Sequence, residues 1–340
     1  MASIVHLAPV MRRILEQSPF LDTVALGASS ERTKQLLTHK CPVMKDVQVN
    51  IREAIMSVGG TCAAFPSLDY RFVDGQLANP SQTVNINGNV VAFRDGFGSK
   101  AHSENNVQAV HDLGELVASM FLPRELTVQI DRKLFDDVAS VSGWRQWKHV
   151  AVADFCVNGD LSPAELEQVL SNVTPREQLR LTVTCPNLTD EVAGFELDSV
   201  ILSGRSEWFG RKTLFESNCR HLSVEFPALS FKDINMFLRE WVGGRYEKLA
   251  HLQFFFEVEK WEKEKSDLLA GIEFVAVEKP VEDESEIIKE FDWHLMSHDG
   301  KHGTMNKDEH TLLDVNTVVL TFEVGKDSFP VIQDKVLFYW

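Results

Sequence analysis

The sequence predicts an α/β fold built from stacked β/α units. The segments Cys219–Val224 and Leu249–Phe254 share one pattern, in which apolar residues stand at the first, fourth and sixth positions, and a helical pattern lies between them. Because a short β/α unit cannot bury its apolar face alone, such units stack into an array. The pattern is typical of leucine-rich repeats, and an array of this kind favours protein binding over catalysis.

A strand core of the form apolar-x-apolar recurs through the middle and second half of the chain. The predicted strand cores begin at Leu126, Val150, Leu179, Val200, Leu222 and Leu252. Their separations of 21 to 30 residues are close to the leucine-rich-repeat length of roughly 20–29 residues. We therefore expect a leucine-rich-repeat-like β/α array over residues 123–280.

The first 42 residues are predicted to form a short helical domain. Five apolar side chains fall on one helical stripe, at Leu7, Val10, Met11, Ile14 and Leu15. Further short helices are expected to begin at Ser18-Pro19 and at Ser29-Ser30. Because about 40 residues of helix are too few to build a core of their own, this segment requires a partner surface or a neighbouring domain.

Residues 43–122 are predicted to form a connecting α/β region. Val47–Ile51 alternates like a strand, and Val84–Phe93 is predicted to be a hairpin with its turn at Asn87-Gly88. Val107–Phe121 has the spacing of a helix with one apolar side.

Two helices of the predicted array share one start signal. Ser162 and Glu165 have the spacing of a capping box, and Ser230 and Asp233 repeat it. The second helix places Trp241 on its apolar stripe, which favours a core position for this side chain. Gly243-Gly244 is expected to end that helix.

The array is expected to end in a strand-rich β-hairpin cap over residues 281–340. Glu257–Asp267 is charged and is predicted to be the exposed part of a helix before this cap. His298-Asp299-Gly300 marks a hairpin turn, and Val315–Val324 is rich in β-branched residues, as strands are.

Composition narrows the classes of partner and compartment. A net charge of −16 repels phosphate groups, so we expect no nucleic-acid partner and no docking on an anionic membrane. The sequence has no apolar run near the ~20 residues that a membrane-spanning helix needs. Five widely spaced cysteines without a secretory signal predict free thiols in a reducing compartment, cytoplasmic and/or nuclear.

No residue pattern predicts a catalytic, cofactor or metal site. Four histidines lie close together in the C-terminal cap: His294, His298, His302 and His310. The turn at Asp299-Gly300 opposes a shared helical face, so a solvated hairpin is the preferred interpretation. Gly96–Lys100 lacks the spacing of a phosphate-binding loop, and no carboxylates form the pattern of an acid–base pair.

Trp208 and Phe209 are candidate target-binding residues. Exposed aromatic side chains are frequent anchors in protein interfaces. Trp208 directly follows the polar segment 205–207, as an exposed loop residue would. An exposed position and a core position both stay open for it.

The second half of the chain resembles F-box proteins of the type expanded in nematodes, which carry an F-box-associated domain. The resemblance is clearest at Trp208 and over Cys219–Leu252, where Trp241 and Gly243-Gly244 occur in the order and spacing of that domain. The segment Phe291–Met305 is similar to the hairpin that closes the domain in this family.

Residues 1–42 resemble a divergent F-box. Leu7-Ala8-Pro9-Val10 and Ile14-Leu15 are similar to the F-box motif, whereas its leading Phe-Pro-Leu-Leu is absent. Gly27 stands in an expected helix interior, at a cost of ~1 kcal/mol. The resemblance implies adaptor contacts by Leu7, Pro9, Val10, Ile14, Leu15 and Leu26.

The resemblance implies the substrate receptor of a cullin-RING ubiquitin ligase of the SCF type. In such a complex the F-box binds the Skp adaptor, and through it a cullin, while the C-terminal domain binds a target protein without catalysing a reaction. Two alternatives stay open: an interaction scaffold with a decayed F-box and no ligase role, and an enzyme whose site lies within residues 43–105. A deep cavity lined by convergent polar groups would favour the enzyme.

Overall fold

The chain folds into two compact units, residues 1–182 and residues 183–340. The computed structural model describes residues 20–30, 33–35, 44–53, 55–62, 65–94, 99–186, 192–278, 291–312 and 315–325. Strands and helices are both abundant, which confirms the predicted α/β class. The division between the units falls inside the segment 123–280 that the sequence predicts as one array.

Unit 1 contains nine strands and four α-helices with described bounds, and residues 33–35 are also helical. The helices are α1 (Phe20–Ser29), α2 (Asn106–Phe121), α3 (Ala139–Ser142) and α4 (Pro163–Asn172), with 3₁₀ turns at Arg132–Leu134 and Arg145–His149. The strands are β1 (Met44–Arg52), β2 (Ile55–Cys62), β3 (Phe65–Phe72), β4 (Gln82–Ile86), β5 (Asn89–Arg94), β6 (Lys100–His102), β7 (Glu125–Asp131), β8 (Val152–Asp160) and β9 (Gln178–Thr184).

The strands of unit 1 lie in the order β9-β8-β7-β1-β2-β3-β6-β5-β4. β1, β7 and β8 are parallel, whereas β1, β2 and β3 are antiparallel neighbours. The predicted hairpin is confirmed as β4 and β5, with positive φ at both Asn87 and Gly88, as its tight turn requires. α2 packs on β1, whose Val47, Val49 and Ile51 are buried.

Unit 2 contains three α-helices and seven strands among its described residues. The helices are α5 (Arg211–Glu216), α6 (Phe231–Val242) and α7 (Val258–Leu268). The strands are β10 (Ser199–Ser203), β11 (His221–Glu225), β12 (His251–Glu257), β13 (Val275–Glu278), β14 (Phe291–Met296), β15 (His302–Leu312) and β16 (Val315–Gly325).

The strands of unit 2 lie in the order β13-β14-β15-β16-β12-β11-β10. β10, β11 and β12 are parallel, whereas the pairs β12–β16, β16–β15, β15–β14 and β14–β13 are antiparallel. Leu222 lies opposite Leu252, and Val224 lies opposite Phe254, so the two segments with equal spacing stand in register. The predicted helix after β12 and the predicted C-terminal strands are also confirmed.

Among the helices of the described ranges, none combines the length and the apolar character that crossing a membrane would require.

Candidate functional site

Helix α6 begins and ends where local sequence signals predict. The Ser230 hydroxyl accepts a hydrogen bond from the Asp233 N–H at 3.2 Å, and the Ser230 N–H donates to the Asp233 carboxylate at 2.9 Å. This reciprocal pair is a capping box, and Ser162 with Glu165 forms the same box at α4. Gly244, with φ of +92°, takes the chain out of α6 in a conformation that favours glycine.

We expect Ser230→Ala to destabilise unit 2 by about 1 kcal/mol, because the first turn of α6 loses its side-chain acceptor. Urea denaturation monitored by circular dichroism would measure the change. Ser230→Thr keeps a capping hydroxyl and serves as the matched control. Equal midpoints for Ser230→Ala and the native protein would contradict a stabilising role of the cap.

The apolar side of α6 packs on the buried face of the sheet. Trp241 is 2 % exposed, which confirms its predicted core position, and its ring meets the Phe322 ring edge-on at 4.9 Å. The Phe231 ring meets those of Phe256 and Trp261 edge-on at 4.8 and 5.5 Å, which joins β12, α6 and α7. The helices of unit 2 therefore cover the face that carries the even-numbered residues of β12.

The odd-numbered residues of β10, β11 and β12 form a second face, which we call the open face. In all three strands these residues are partly exposed and alternate with buried ones. The open face consists of Ser199, Ile201, Ser203, His221, Ser223, Glu225, His251, Gln253, Phe255 and Glu257. A strand that is buried on one side and accessible on the other presents a row of side chains to a partner.

Polar contacts run across the open face from strand to strand. The Ser223 hydroxyl donates to the Gln253 amide oxygen at 3.2 Å, and the Gln253 amide nitrogen donates to the Thr321 hydroxyl at 3.4 Å. The rings of His221 and His251 lie 6.4 Å apart between centroids. Paired residues on adjacent strands thus hold one another in defined positions.

Charged side chains lie at both ends of the strands that form the open face. The Gly204 N–H donates to the Glu225 carboxylate at 2.7 Å. The Arg205 guanidinium lies 3.1 Å from the Glu207 carboxylate and 3.7 Å from that of Glu257. At the opposite end of the strands, His251 Nδ1 lies 3.6 Å from the Glu323 carboxylate.

Most of the chain that forms the open face is similar to a known protein family. Residues 190–254 match the model of the F-box associated family. We call this stretch the F-box-associated segment; it includes β10, α5, β11, α6 and part of β12. Neither a curated protein nor a solved structure matches the chain.

The interpretation of Trp208 and Phe209 as exposed target-binding residues is corrected by their positions. Both side chains are 0 % exposed in the F-box-associated segment, and their rings lie 6.4 Å apart at 70°. Ser206, one of the polar residues that suggested an exposed loop, is 1 % exposed. The Ser206 N–H donates to the Glu225 carbonyl, and the Phe209 N–H donates to the Ser206 carbonyl, so this turn packs inward.

The accessible residues of the F-box-associated segment were missed because sequence reasoning favoured aromatic side chains. The signal that could have found them is the strict alternation in His221–Glu225, which Phe254-Phe255-Phe256 interrupts in the next strand. In both strands every second residue is buried, so the residues between them, which include the apolar Phe255, face away from the core.

Cys219 stands in the F-box-associated segment but is poorly suited to nucleophilic chemistry. Burial raises the pKa of its thiol to about 11, so the thiolate is scarce at neutral pH. The side chain is 4 % exposed, which suits a small core residue.

The described residues of the predicted F-box are 20–30, which contain α1, and 33–35. Leu21 and Val24 are 3 % and 0 % exposed, and α1 contacts α2 and β4 of unit 1. Leu26, the predicted adaptor contact in this helix, is 42 % exposed. The other predicted contacts, Leu7, Pro9, Val10, Ile14 and Leu15, lie outside the described residues.

Gly27 lies on the side of α1 that faces α2. A Cβ atom at this position would clash with the Met120 sulfur, and Met120 is 0 % exposed. Close approach of the two helices therefore accounts for a glycine within the helix, a position that propensity disfavours.

Two of the four clustered histidines, His294 and His302, lie close together on the neighbouring strands β14 and β15. His294 lies in β14 with its Nδ1 3.3 Å from the Thr304 hydroxyl, whereas His298 is exposed in the hairpin turn. No group of three or more histidine, cysteine, aspartate or glutamate side chains in the described ranges could hold a metal ion. The His310 side chain and residues 95–98 of the glycine-rich loop lie outside the described residues.

Two open cavities lie in the region of the enzyme hypothesis. One, of about 290 Å³, is floored by β1, β2 and β3 and lined by Asp46, Gln48, Asn50, Ser57, Asp69 and Arg71 among others. The other, of about 620 Å³, includes Asn89, Val90, His102 and Ser103 in its lining.

A histidine–aspartate pair lies close to the larger cavity and has a packing role. Asn89 donates a hydrogen bond to Asp112 at 2.8 Å, and Asp112 lies 3.0 Å from His111 Nδ1. His111 Nε2 lies 3.1 Å from the Trp144 indole nitrogen and 3.2 Å from the Ser140 carbonyl. Because both imidazole nitrogens of His111 have protein partners, this pair holds α2 to α3 and to the residues after α3. The enzyme alternative stays a hypothesis.

Proposed function

We propose that the chain is the substrate-recognition subunit of an SCF-type cullin-RING E3 ubiquitin ligase. Residues 1–42 would bind the Skp adaptor, and through it a cullin, and unit 2 would bind the target protein. The receptor would carry out no chemistry itself. It would raise the effective concentration of the target near the ubiquitin-charged enzyme. The compartment that fits this role is cytoplasmic and/or nuclear.

The match of residues 190–254 to the F-box associated family carries this proposal. The matched residues form a well-packed unit in which β10, β11 and β12 leave one face accessible. The parallel register of Leu222 with Leu252 supports a leucine-rich-repeat-like arrangement, in which equivalent strand positions face a partner together. The open face, and not the buried Trp208 and Phe209, would bind the target protein.

The adaptor contact is proposed at the apolar stripe of the N-terminal segment. Leu26 is the one proposed contact within the described residues, and its exposure of 42 % fits a partner surface. Leu7, Pro9, Val10, Ile14 and Leu15 would supply the remaining apolar contacts. No charge lies among these six residues, so an aspartate introduced there would be buried unpaired in the complex.

We expect Ile14→Asp to reduce recovery of the Skp adaptor and the cullin by about tenfold or more in co-purification from cells. The matched control is Val90→Asp, because Val90 is an exposed apolar residue (56 %) outside the proposed contact. Adaptor recovery should be unchanged in that variant. Equal recovery with Ile14→Asp and with Val90→Asp would show that the stripe does not bind the adaptor.

A second candidate function is an interaction scaffold with a decayed F-box and no ligase role. The burial of Leu21 and Val24 within unit 1 favours the scaffold, because this side of α1 already packs on α2 and β4 of its own chain. The scaffold predicts that neither the native chain nor Ile14→Asp recovers the adaptor, while the open face still binds a partner protein. Mass spectrometry of the same purifications separates the two functions.

A further inference from the structure

We propose that the open face binds a lysine- and arginine-rich segment of a partner protein. The inference rests on the proposed function for the location of the target site, and it adds the chemistry of the bound segment. Its basis is the charge, the accessibility and the order of the side chains on β10, β11 and β12, together with the exposed Glu323 of β16.

The strands of the open face carry carboxylates without matching cations. β10, β11 and β12 contain Glu225 and Glu257 but no lysine or arginine. Glu323 of β16 lies directly opposite His251 and adds a third carboxylate to the same face. Arg220 and Lys248 belong to the loops that precede β11 and β12.

The Arg205 guanidinium contacts two carboxylates at the end of the open face, and its single positive charge cannot neutralise both. It lies within 4 Å of both Glu207 and Glu257, so one positive charge is shared by two negative ones. Glu225 and Glu323 bring the total to four carboxylates, of which Arg205 contacts two and His251 lies 3.6 Å from a third. A partner that supplies lysine or arginine heads would restore the balance.

The carboxylates are accessible enough to meet a partner. The side chains of Glu257 and Glu323 are 45 % and 63 % exposed. Exposed ion pairs contribute little one at a time, so several contacts on the same face are needed to give measurable affinity and specificity. The carboxylates lie at both ends of the strands, which would fix the position of a basic segment.

Apolar surface lies beside the carboxylates of the open face. Phe255 is partly exposed and lies directly opposite Glu225, and Ile201 is partly exposed on β10. Lysine and arginine side chains combine an apolar stem with a charged head, so the stems can cover Phe255 while the heads reach a carboxylate. A cation over the Phe255 ring would add a cation–π contribution. A purely acidic or a purely apolar segment would leave one of these features unmatched.

The test is binding of two fluorescent peptides to the full chain, measured by anisotropy. The peptides share their apolar residues and differ in carrying either lysine and arginine or glutamate at the remaining positions. The open-face variant combines Glu225→Gln, Glu257→Gln and Glu323→Gln, which keep the size and the acceptor oxygen of each side chain. The control combines Glu259→Gln, Glu262→Gln and Asp267→Asn, three exposed positions of α7. Both triple variants remove three negative charges.

We expect the native chain to bind the basic peptide and not the acidic one. The open-face variant should lose at least about tenfold in affinity for the basic peptide. The affinity of the α7 variant should change by less than about twofold. Phe255→Ala should also weaken binding of the basic peptide. The loss of affinity in this variant should depend less on salt concentration than the loss in the carboxylate variant. Circular dichroism would check that all variants are folded.

Three results would overturn the inference: no binding of the basic peptide, equal binding of the acidic peptide, or equal losses in the two triple variants. The last result would mean attraction to the net charge of the whole chain, not to the open face. Adaptor recovery with the native chain and the Ile14→Asp variant tests the proposed function separately, because those contacts belong to residues 1–42. A chain that recovers the adaptor but ignores the basic peptide would retain its receptor role and lose only this inference.

Discussion

Trp208→Ala is expected to destabilise unit 2 by roughly 3–5 kcal/mol or to unfold it, a much larger loss than removal of the Ser230 cap would cause. The indole is 0 % exposed, and Phe209 beside it is also fully buried. Removing the ring would leave a cavity next to the strands that support the open face. Partner binding would then fall because the surface loses its support, although Trp208 itself does not reach that surface.

Hydrogen exchange of the full chain would measure this effect in each unit separately. Peptides from β10, β11 and β12 should lose protection in Trp208→Ala, whereas peptides from α2 and β7 in unit 1 should serve as the internal control. Trp208→Phe, which keeps most of the apolar volume, should lose less protection. Unchanged protection in unit 2 together with lost partner binding would restore the interpretation of Trp208 as an exposed anchor.

Elements with local signals could be predicted from the sequence. The capping boxes at Ser162 and Ser230, the Asn87-Gly88 turn and the glycine stop after α6 depend on a few neighbouring residues, and all are present in the structure. The equal spacing within the two segments also predicts the register of Leu222 with Leu252. These features follow from backbone geometry and hydrogen bonding over short distances.

The burial of Trp208 could not be predicted in the same way. It depends on how the turn after β10 meets elements that are distant in sequence, whereas the local polar residues suggest exposure. The open face required a similar step, because alternation in β11 and β12 identifies two faces but does not say which face the helices cover. The contacts of Phe231 and Trp241 with Phe256 and Phe322 decide that question.

The close contact of α1 with α2 gives Gly27→Ala an expected sign opposite to the one that helix propensity suggests. In an exposed helix, alanine would stabilise by about 1 kcal/mol relative to glycine. Here the added Cβ atom would clash with the sulfur of the Met120 side chain, which is fully buried and has little space to shift. Overpacking of this kind costs roughly 1–3 kcal/mol, so we expect unit 1 to be destabilised or, at best, unchanged.

A double-mutant cycle with Met120→Ala would measure the contact between the two helices. Met120→Ala alone should destabilise unit 1, because it removes a fully buried side chain. In that background Gly27→Ala should become stabilising, because the sulfur and terminal methyl that oppose the new Cβ atom are gone. Urea denaturation of the four proteins would give the coupling free energy. A stabilising Gly27→Ala in the native background would contradict the packing of α1 on α2.

Adaptor recovery by Gly27→Ala would decide what the packing of α1 means for function. A receptor needs its N-terminal stripe accessible while α1 ties that stripe to unit 1 through Leu21 and Val24. If α1 only anchors the segment, Gly27→Ala should weaken unit 1 but leave adaptor recovery unchanged. If the side of α1 that packs on unit 1 competes with the adaptor, loosening the contact should increase recovery. A loss of adaptor with Gly27→Ala, in a chain whose units remain folded, would mean that the docked position of α1 is part of the adaptor-binding surface.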